Sequence, residues 1–161
     1  MPKSEPRQYW LMKSEPEAYS IVDLEHDVSE SWDGVRNYQA RNYMQQMRVG
    51  DMVLFYHSNA DPPGVMGIAR VCKLAHPDDT AFDPGSKYFD PKSKPEAPTW
   101  YMVDVEYVEK LPNEVTLELL KQDPELEGML VRQRGQRLSV QPVEKRHFAR
   151  VLELGGAKTK V

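Results

Sequence analysis

Apolar residues in this chain come only in short runs, and a proline or a glycine turn cuts off each of them. Tyr9-Trp10-Leu11-Met12-Lys13 stops at Ser14-Glu15-Pro16, because Pro16 cannot donate to a ladder and drives its predecessor out of helical space. Met52–Tyr56 follows the tight turn Arg48-Val49-Gly50-Asp51, and Val65–Leu74 follows the turn-rich Asn59–Gly64. Runs of this length predict buried strands, and Gly67 within the third predicts a bulge or a close backbone approach. None nears the ~18 apolar residues of a membrane helix.

Between these runs the period changes. Ser20 is placed to cap a helix over Ile21–Glu25. From Tyr38 to Met47 the residues Tyr38, Ala40, Tyr43, Met44 and Met47 recur at helical spacing. Thr116–Gln122 predicts a short helix, and Pro142–Leu154 an amphipathic one ended by Gly155-Gly156. Thr99–Val108 alternates, with Val103, Val105 and Tyr107 on one face and Met102, Asp104 and Glu106 on the other. That is the pattern of a half-exposed antiparallel strand; Leu138–Val140 predicts a last strand. Residues 75–98, with Pro77, Pro84, Pro91, Pro95 and Pro98, read as a long loop. Five or six strands among three or four helices, without regular alternation, predict an α+β fold: a small curved mixed sheet or barrel with short helices at its ends. A length of 161 residues predicts one domain with a core of its own.

A single cysteine, Cys72, rules out an internal disulfide and a Cys-x-x-Cys metal site, and within an apolar strand it reads as core filler. That count fits a reducing, cytoplasmic compartment. Met1–Arg7 is polar, so neither secretion nor a membrane is expected. Lys3-Ser4-Glu5-Pro6 repeats the letters of Lys13–Pro16 with no apolar strand before it, and is read as coincidence. The four histidines (His26, His57, His76, His147) lack metal-ligand spacing. Gly-x-Ser-x-Gly, Gly-x-Gly-x-x-Gly and the Walker motif are all missing, so no metal or cofactor is expected. Asp78-Asp79 and Asp90 read as solvated charge in an acidic loop.

The net charge of −4 argues against a protein that coats nucleic acid nonspecifically, but its distribution is uneven. Residues 14–30 carry six acids and no Lys or Arg, whereas 129–150 carry six Lys or Arg against Glu144 alone. The second segment fits either an anionic partner or a solvated helix face. The densest constellation is Trp32-Asp33-Gly34-Val35-Arg36-Asn37-Tyr38-Gln39-Ala40-Arg41-Asn42. An aromatic plate, planar cations and amide groups within one turn of chain can hold a splayed-out base. The same residues also suit a core tryptophan beside a capped helix.

Taken together, Tyr9–Pro16, Trp32–Asn42, Gly50-Asp51, Phe55-Tyr56-His57-Ser58, Gly64–Ala69, Tyr88-Phe89-Asp90-Pro91, Trp100 and Arg137–Val143 resemble the EVE domain family, in particular its single-domain bacterial members. The resemblance spans about residues 8–153, taken as the core of a single domain covering 1–161. It implies a PUA-like fold, a curved mixed sheet closed as a pseudo-barrel and related to the YTH readers of methylated adenine. It further implies a module that binds a modified base in nucleic acid, modified cytosine in DNA above all, or modified RNA. In that pocket Trp32 would stack on the base, with Lys13, Ser14, Asn37, His57, Ser58 and Tyr56 around it. Arg36, Arg41, Arg134 and Arg137 would hold flanking phosphates, and a monomer is expected. Tyr56, Tyr88 and Trp100 are candidate aromatic walls, among which the sequence does not choose. The alternative is a small hydrolase or small-molecule binder on a PUA- or ASCH-like fold, with Lys13, His57 and Glu15 or Asp90 meeting in one cavity.

Overall fold

The computed structural model describes residues 7–135 and 137–161. The Lys3–Pro6 repeat lies outside them. The chain runs β1 (Tyr9–Ser14), α1 (Ile21–Asp27), β2 (Ser29–Ser31), α2 (Tyr38–Gln46), β3 (Met52–His57), β4 (Gly64–Pro77), β5 (Tyr101–Thr116), α3 (Leu117–Gln122), β6 (Val140–Pro142) and α4 (Lys145–Gly155). One six-stranded sheet has the order β2-β5-β4-β3-β1-β6. β1 lies parallel to β3, from Tyr9 opposite Met52 to Ser14 opposite His57, and the other neighbours are antiparallel. A parallel pair needs a long crossover, and α1, β2 and α2 supply it.

Both faces of the sheet are covered. Trp10 and Met12 of β1, with Val53 and Phe55 of β3, pack under Ile21 and Leu24 of α1 and Ala40 and Met44 of α2. Leu11, Met52, Leu54 and Tyr56 point the other way, against Leu120 of α3 and Phe148, Val151 and Leu152 of α4. Burial on both faces is why β1 and β3 read as unbroken apolar runs rather than as alternating ones. At Gly67 an added Cβ would lie 2.4 Å from the Ile21 side chain, and the β4–β5 register slips between Val65 and Gly67. Bulge and close approach thus coincide there.

Several elements depart from the expectation. Strand β5 runs to Thr116 rather than Val108, and register slips along β4–β5 break its simple alternation, leaving Met102 buried. Residues 75–98 begin as the end of β4 and continue through a 3-10 turn at Asp79–Phe82. Polar β2, Ser-Glu-Ser, carries no apolar signal. α4 starts at Lys145, not Pro142, because Val140–Pro142 is the strand. The mixed sheet is the expected one, but its end strands β2 and β6 do not pair, so it is open rather than a closed pseudo-barrel.

Two polar groups lock the joints of this framework. Buried Asp51, before β3, accepts from the backbone N–H of Gln8 and of Arg48 and from the Trp10 indole N–H, each at 3.0 Å. His57, at the end of β3, accepts the Ile21 backbone N–H on Nε2 at 3.2 Å, tying β3 to the first turn of α1. Burial lowers the His57 pKa, against the pull of Glu114 and Asp23.

Asp51→Ala strands four donors, the backbone and side-chain amides of Gln8, the Trp10 indole and the Arg48 amide; with roughly 1.5–3 kcal/mol for a bond to a charged acceptor, urea unfolding should show a loss of about 3 kcal/mol or more. Neutral His57 is favoured in the folded state, so below about pH 6.5 the unfolded chain takes up the proton first and stability falls as pH drops toward the lowered folded pKa. His57→Gln keeps an acceptor that does not titrate, and its unfolding free energy should lose that component of the pH dependence between about pH 7 and 5.

Candidate functional site

Beyond the C-terminal end of β1 lies a cleft of about 570 Å³, within the range of small-ligand sites. Its walls come from Lys13 and Ser14, from Glu15, Ala18 and Tyr19 leading to α1, from Glu30 to Arg36 across β2 and its following loop, and from Lys87, Tyr88 and Ser139. Three aromatic side chains, Trp32, Tyr19 and Tyr88, share it with three cations and three acids.

Trp32 takes its place because its backbone N–H donates to Val103 O at 2.7 Å, continuing the β2–β5 ladder. Its ring meets Phe55 edge to face at 5.4 Å, and the residue is 9% exposed. The core reading of Trp32 therefore holds, and the same residue also lines the cleft. Its indole N–H differs from those of Trp10, bound to Asp51, and Trp100, bound to Asp90, in having no hydrogen-bond partner among the described residues.

The loop after Trp32 is held by Asp78, which is wholly buried rather than solvated. Its carboxylate accepts from Gly34 N at 2.8 Å, from Arg36 Nη1 and Thr80 N at 3.0 Å, and from the Thr80 hydroxyl. Burial pushes its pKa up, but the bonds from Thr80, Gly34 and Arg36 outweigh that and hold it below the usual carboxylate range. Gly34, at φ +76°, has the Tyr88 ring where a side chain would start: a Cβ would sit 2.5 Å from it. Tyr88 is thereby fixed flat against the loop. Nearby Asp33 is shifted the other way, its carboxyl raised by burial and by Asp78 and Asp79, against the pull of Arg36. Burial lowers the Lys13 ammonium.

Of the residues expected in the base pocket, Trp32, Lys13 and Ser14 line this cleft and the others do not. Ser14 donates its hydroxyl to Tyr19 O at 2.6 Å, closing the loop between β1 and α1. Asn37 caps α2, accepting Ala40 N at 2.9 Å. Tyr56 is buried on the opposite face of the sheet, Ser58 donates its backbone N–H to Ser14 O, and His57 lines a separate cleft beyond the Glu15–Tyr19 loop. Trp100 is buried away from the cleft, so Tyr88 is the wall among the three candidates.

The arginines divide as well. Arg36 lines the cleft, but its guanidinium donates to Val35 O, Asp78, Thr80 and twice to Tyr88 O, which makes it a brace for the rim rather than an outstretched cation. Arg41 donates to Thr99 O and Asn42. Arg134 and Arg137 are exposed, and Arg137 stands two positions before the cleft residue Ser139. The residues not anticipated, Tyr19, Ser31 and Lys87, lie near motifs that were, Lys87 before Tyr88-Phe89-Asp90-Pro91 and Ser31 before Trp32, while Asp33 belongs to the Trp32–Asn42 constellation without having been given a role there. The hydrolase arrangement is not assembled, since Lys13 and Glu15 line the cleft without His57, the Lys13 ammonium lies 5.8 Å from the centre of the Tyr56 ring, and Asp90 accepts the Trp100 indole N–H.

With this geometry in place, comparison with known proteins gives a consistent result. The EVE domain matches residues 8–154. Thymocyte nuclear protein 1 of Mus musculus is 41% identical over 165 residues, covering 91% of this chain and 73% of that protein. A hypothetical protein from Leishmania major superposes with a TM-score of 0.90 at 48% identity, covering 96% of this chain and 98% of that one. Human THYN1 protein, in complex with 5-methylcytosine containing DNA, superposes with a TM-score of 0.86 at 38% identity, covering 96% and 99%. The YTH domain of Zygosaccharomyces rouxii MRB1, in complex with N6-methyladenosine RNA, shares the fold at a TM-score of 0.55 and 15% identity, covering 92% and 86%. A family match over nearly the whole chain, on the fold that the strand order describes, leads to one statement: this chain belongs to the EVE domain family.

Proposed function

We propose that this protein reads a modified base in nucleic acid, most directly a methylated cytosine, by receiving the extruded base in the cleft beside Trp32. The observation that carries the reading is Trp32 itself: an indole clamped by Phe55 on its core side, lining the cleft with an N–H that no described residue uses. A flipped base is read by stacking and by hydrogen bonds to its edge. The cleft supplies the ring of Trp32, with Tyr19 and Tyr88 as further walls. For the edge it supplies the free indole donor and the acceptors Asp33 and Ser31, and an aspartate is a natural acceptor for the exocyclic amino group of cytosine. The human relative bound to 5-methylcytosine containing DNA supports this ligand class.

Phosphates on either side of the base meet Lys87 on the rim and Arg137 beyond Ser139, while Arg36 braces Tyr88 and keeps the wall upright. The acidic overall balance limits nonspecific attraction, so discrimination rests on the cleft. A hydrolase built on Lys13 lacks the histidine that such a mechanism was expected to use.

In a titration of short oligonucleotides carrying one 5-methylcytosine or one cytosine, the methylated strand should bind at least about tenfold more tightly, or about 1.4 kcal/mol. Trp32→Ala would hollow the core, so the informative variants are Trp32→Phe, which keeps packing but loses the donor, and Tyr88→Ala on the rim. Both should melt cooperatively and lose most of that preference; a folded Trp32→Phe and Tyr88→Ala that discriminate as the wild type does would refute the pocket. Lys87→Glu should instead weaken methylated and plain strands alike and reduce the slope of log K against log[salt] by about 1.

A further inference from the structure

Tyr38 belongs to the helical stripe expected in the core of α2, yet in the structure it is 60% exposed, while Ala40, Met44 and Met47 fill the core without it. Its position is not loose. The ring stacks on Trp100 at 5.0 Å and 22°, and the Arg41 guanidinium lies 4.9 Å from its centre. Both supports are themselves anchored, Trp100 by its indole N–H to Asp90 at 2.7 Å and Arg41 by its bond to Thr99 O at 2.9 Å. The arrangement continues inward: Arg36 lies 5.4 Å from Trp100 and 5.6 Å from Tyr88, which lines the cleft. Rings and cations therefore alternate from the rim of the cleft to the first residue of α2 in steps below 6 Å.

A plate of this kind is suited to stacking. With one face held against Trp100, the ring has already lost the side-chain freedom that a ligand would otherwise have to take away. The residue remains 60% exposed, with the Arg41 cation beside the ring. Single-stranded nucleic acid is bound by such aromatic platforms within positively charged tracks, one base per platform. The adjoining charge of Arg41 favours a phosphate-bearing chain over an apolar one.

We infer that Tyr38, backed by Trp100 and flanked by Arg41, is a second stacking station that takes an unpaired base of the same strand whose modified base occupies the Trp32 cleft. This rests on the base-reading function proposed above and deepens it: the partner is unpaired at and beside the base that is read. At a rise of about 3.4 Å per nucleotide, the path from Tyr88 to Tyr38 spans a few nucleotides, so the station serves a flanking base rather than the flipped one.

The test uses the full chain and single-stranded oligonucleotides of about fifteen nucleotides with a central 5-methylcytosine, so that the flank on each side exceeds the span just given. A parallel set carries an abasic site at each flanking position in turn. At one flanking position the abasic site should weaken wild-type binding about tenfold, equivalent to about 1.4 kcal/mol. Tyr38→Ala should weaken the intact strand by the same factor and lose nothing further on that abasic strand, while Tyr38→Phe binds as the wild type does. If Tyr38→Ala melts early, Tyr38→Leu, which still covers Trp100, replaces it. The inference is overturned if a folded Tyr38 variant binds the intact strand as tightly as the wild type, or if its loss is the same on the intact strand and on every abasic strand. Failure of the base-reading function shows separately, as equal wild-type affinity for strands with a central cytosine and a central 5-methylcytosine. Such equality leaves a flanking-base effect at Tyr38 measurable in its own right.

Discussion

The carboxylate of Asp78 is removed from water entirely, and the loop that forms the cleft is arranged around it. Burying a charge costs several kcal/mol unless it is paired and its lone pairs are filled, and here Gly34, Thr80 and Arg36 fill them. Those bonds fix the turn after Trp32, and Arg36 hands the constraint on to the Tyr88 carbonyl at 2.6 Å. Asp78 also donates its own backbone N–H to Trp100 O at 2.9 Å, connecting the same anchor to the end of the long loop. One ionised group thus positions the segments that carry Trp32, Tyr88 and Trp100, which come from distant stretches of sequence.

The framework beneath the site was largely legible in the sequence because its signals are local. Pro16, the Ser20 cap, the apolar spacing of α2 and Gly50 each act within a few residues of where they stand, and β1, α1, α2 and β3 follow from them. Where pairing depends on distant partners, the signal fades. β2 is three polar residues that form a strand only because β5 offers an edge. The far half of β5 is obscured because slips along β4 spoil the alternation that would reveal it.

The site divides in the same way. Trp32, Lys13 and Ser14 reach the cleft because they sit where a strand ends, a place that sequence pattern marks. Asn37 and His57 suit hydrogen bonding to a ligand equally well by type, but each is used by a helix start, a competition that composition does not reveal. Asp78 was the furthest from its expectation. Within an acidic, proline-rich segment it reads as solvated charge, and only the tertiary meeting of Gly34, Arg36 and Thr80 brings it inside. Tyr38 errs in the opposite sense, an aromatic at core spacing left outside.

The open sheet has a consequence of its own. A strand at the margin of a sheet exposes amides that can recruit a second chain edge to edge, and β2 borders the cleft. It is only three residues long, and its outward Ser31 N–H is already taken by the neighbouring Glu30 side chain at 2.9 Å. The strand therefore carries a negative charge at one of the two outward amides, Ser29 and Ser31, where another backbone would begin to zip. A surface cleft thus stands beside an edge strand whose length and side chains both oppose pairing with another chain.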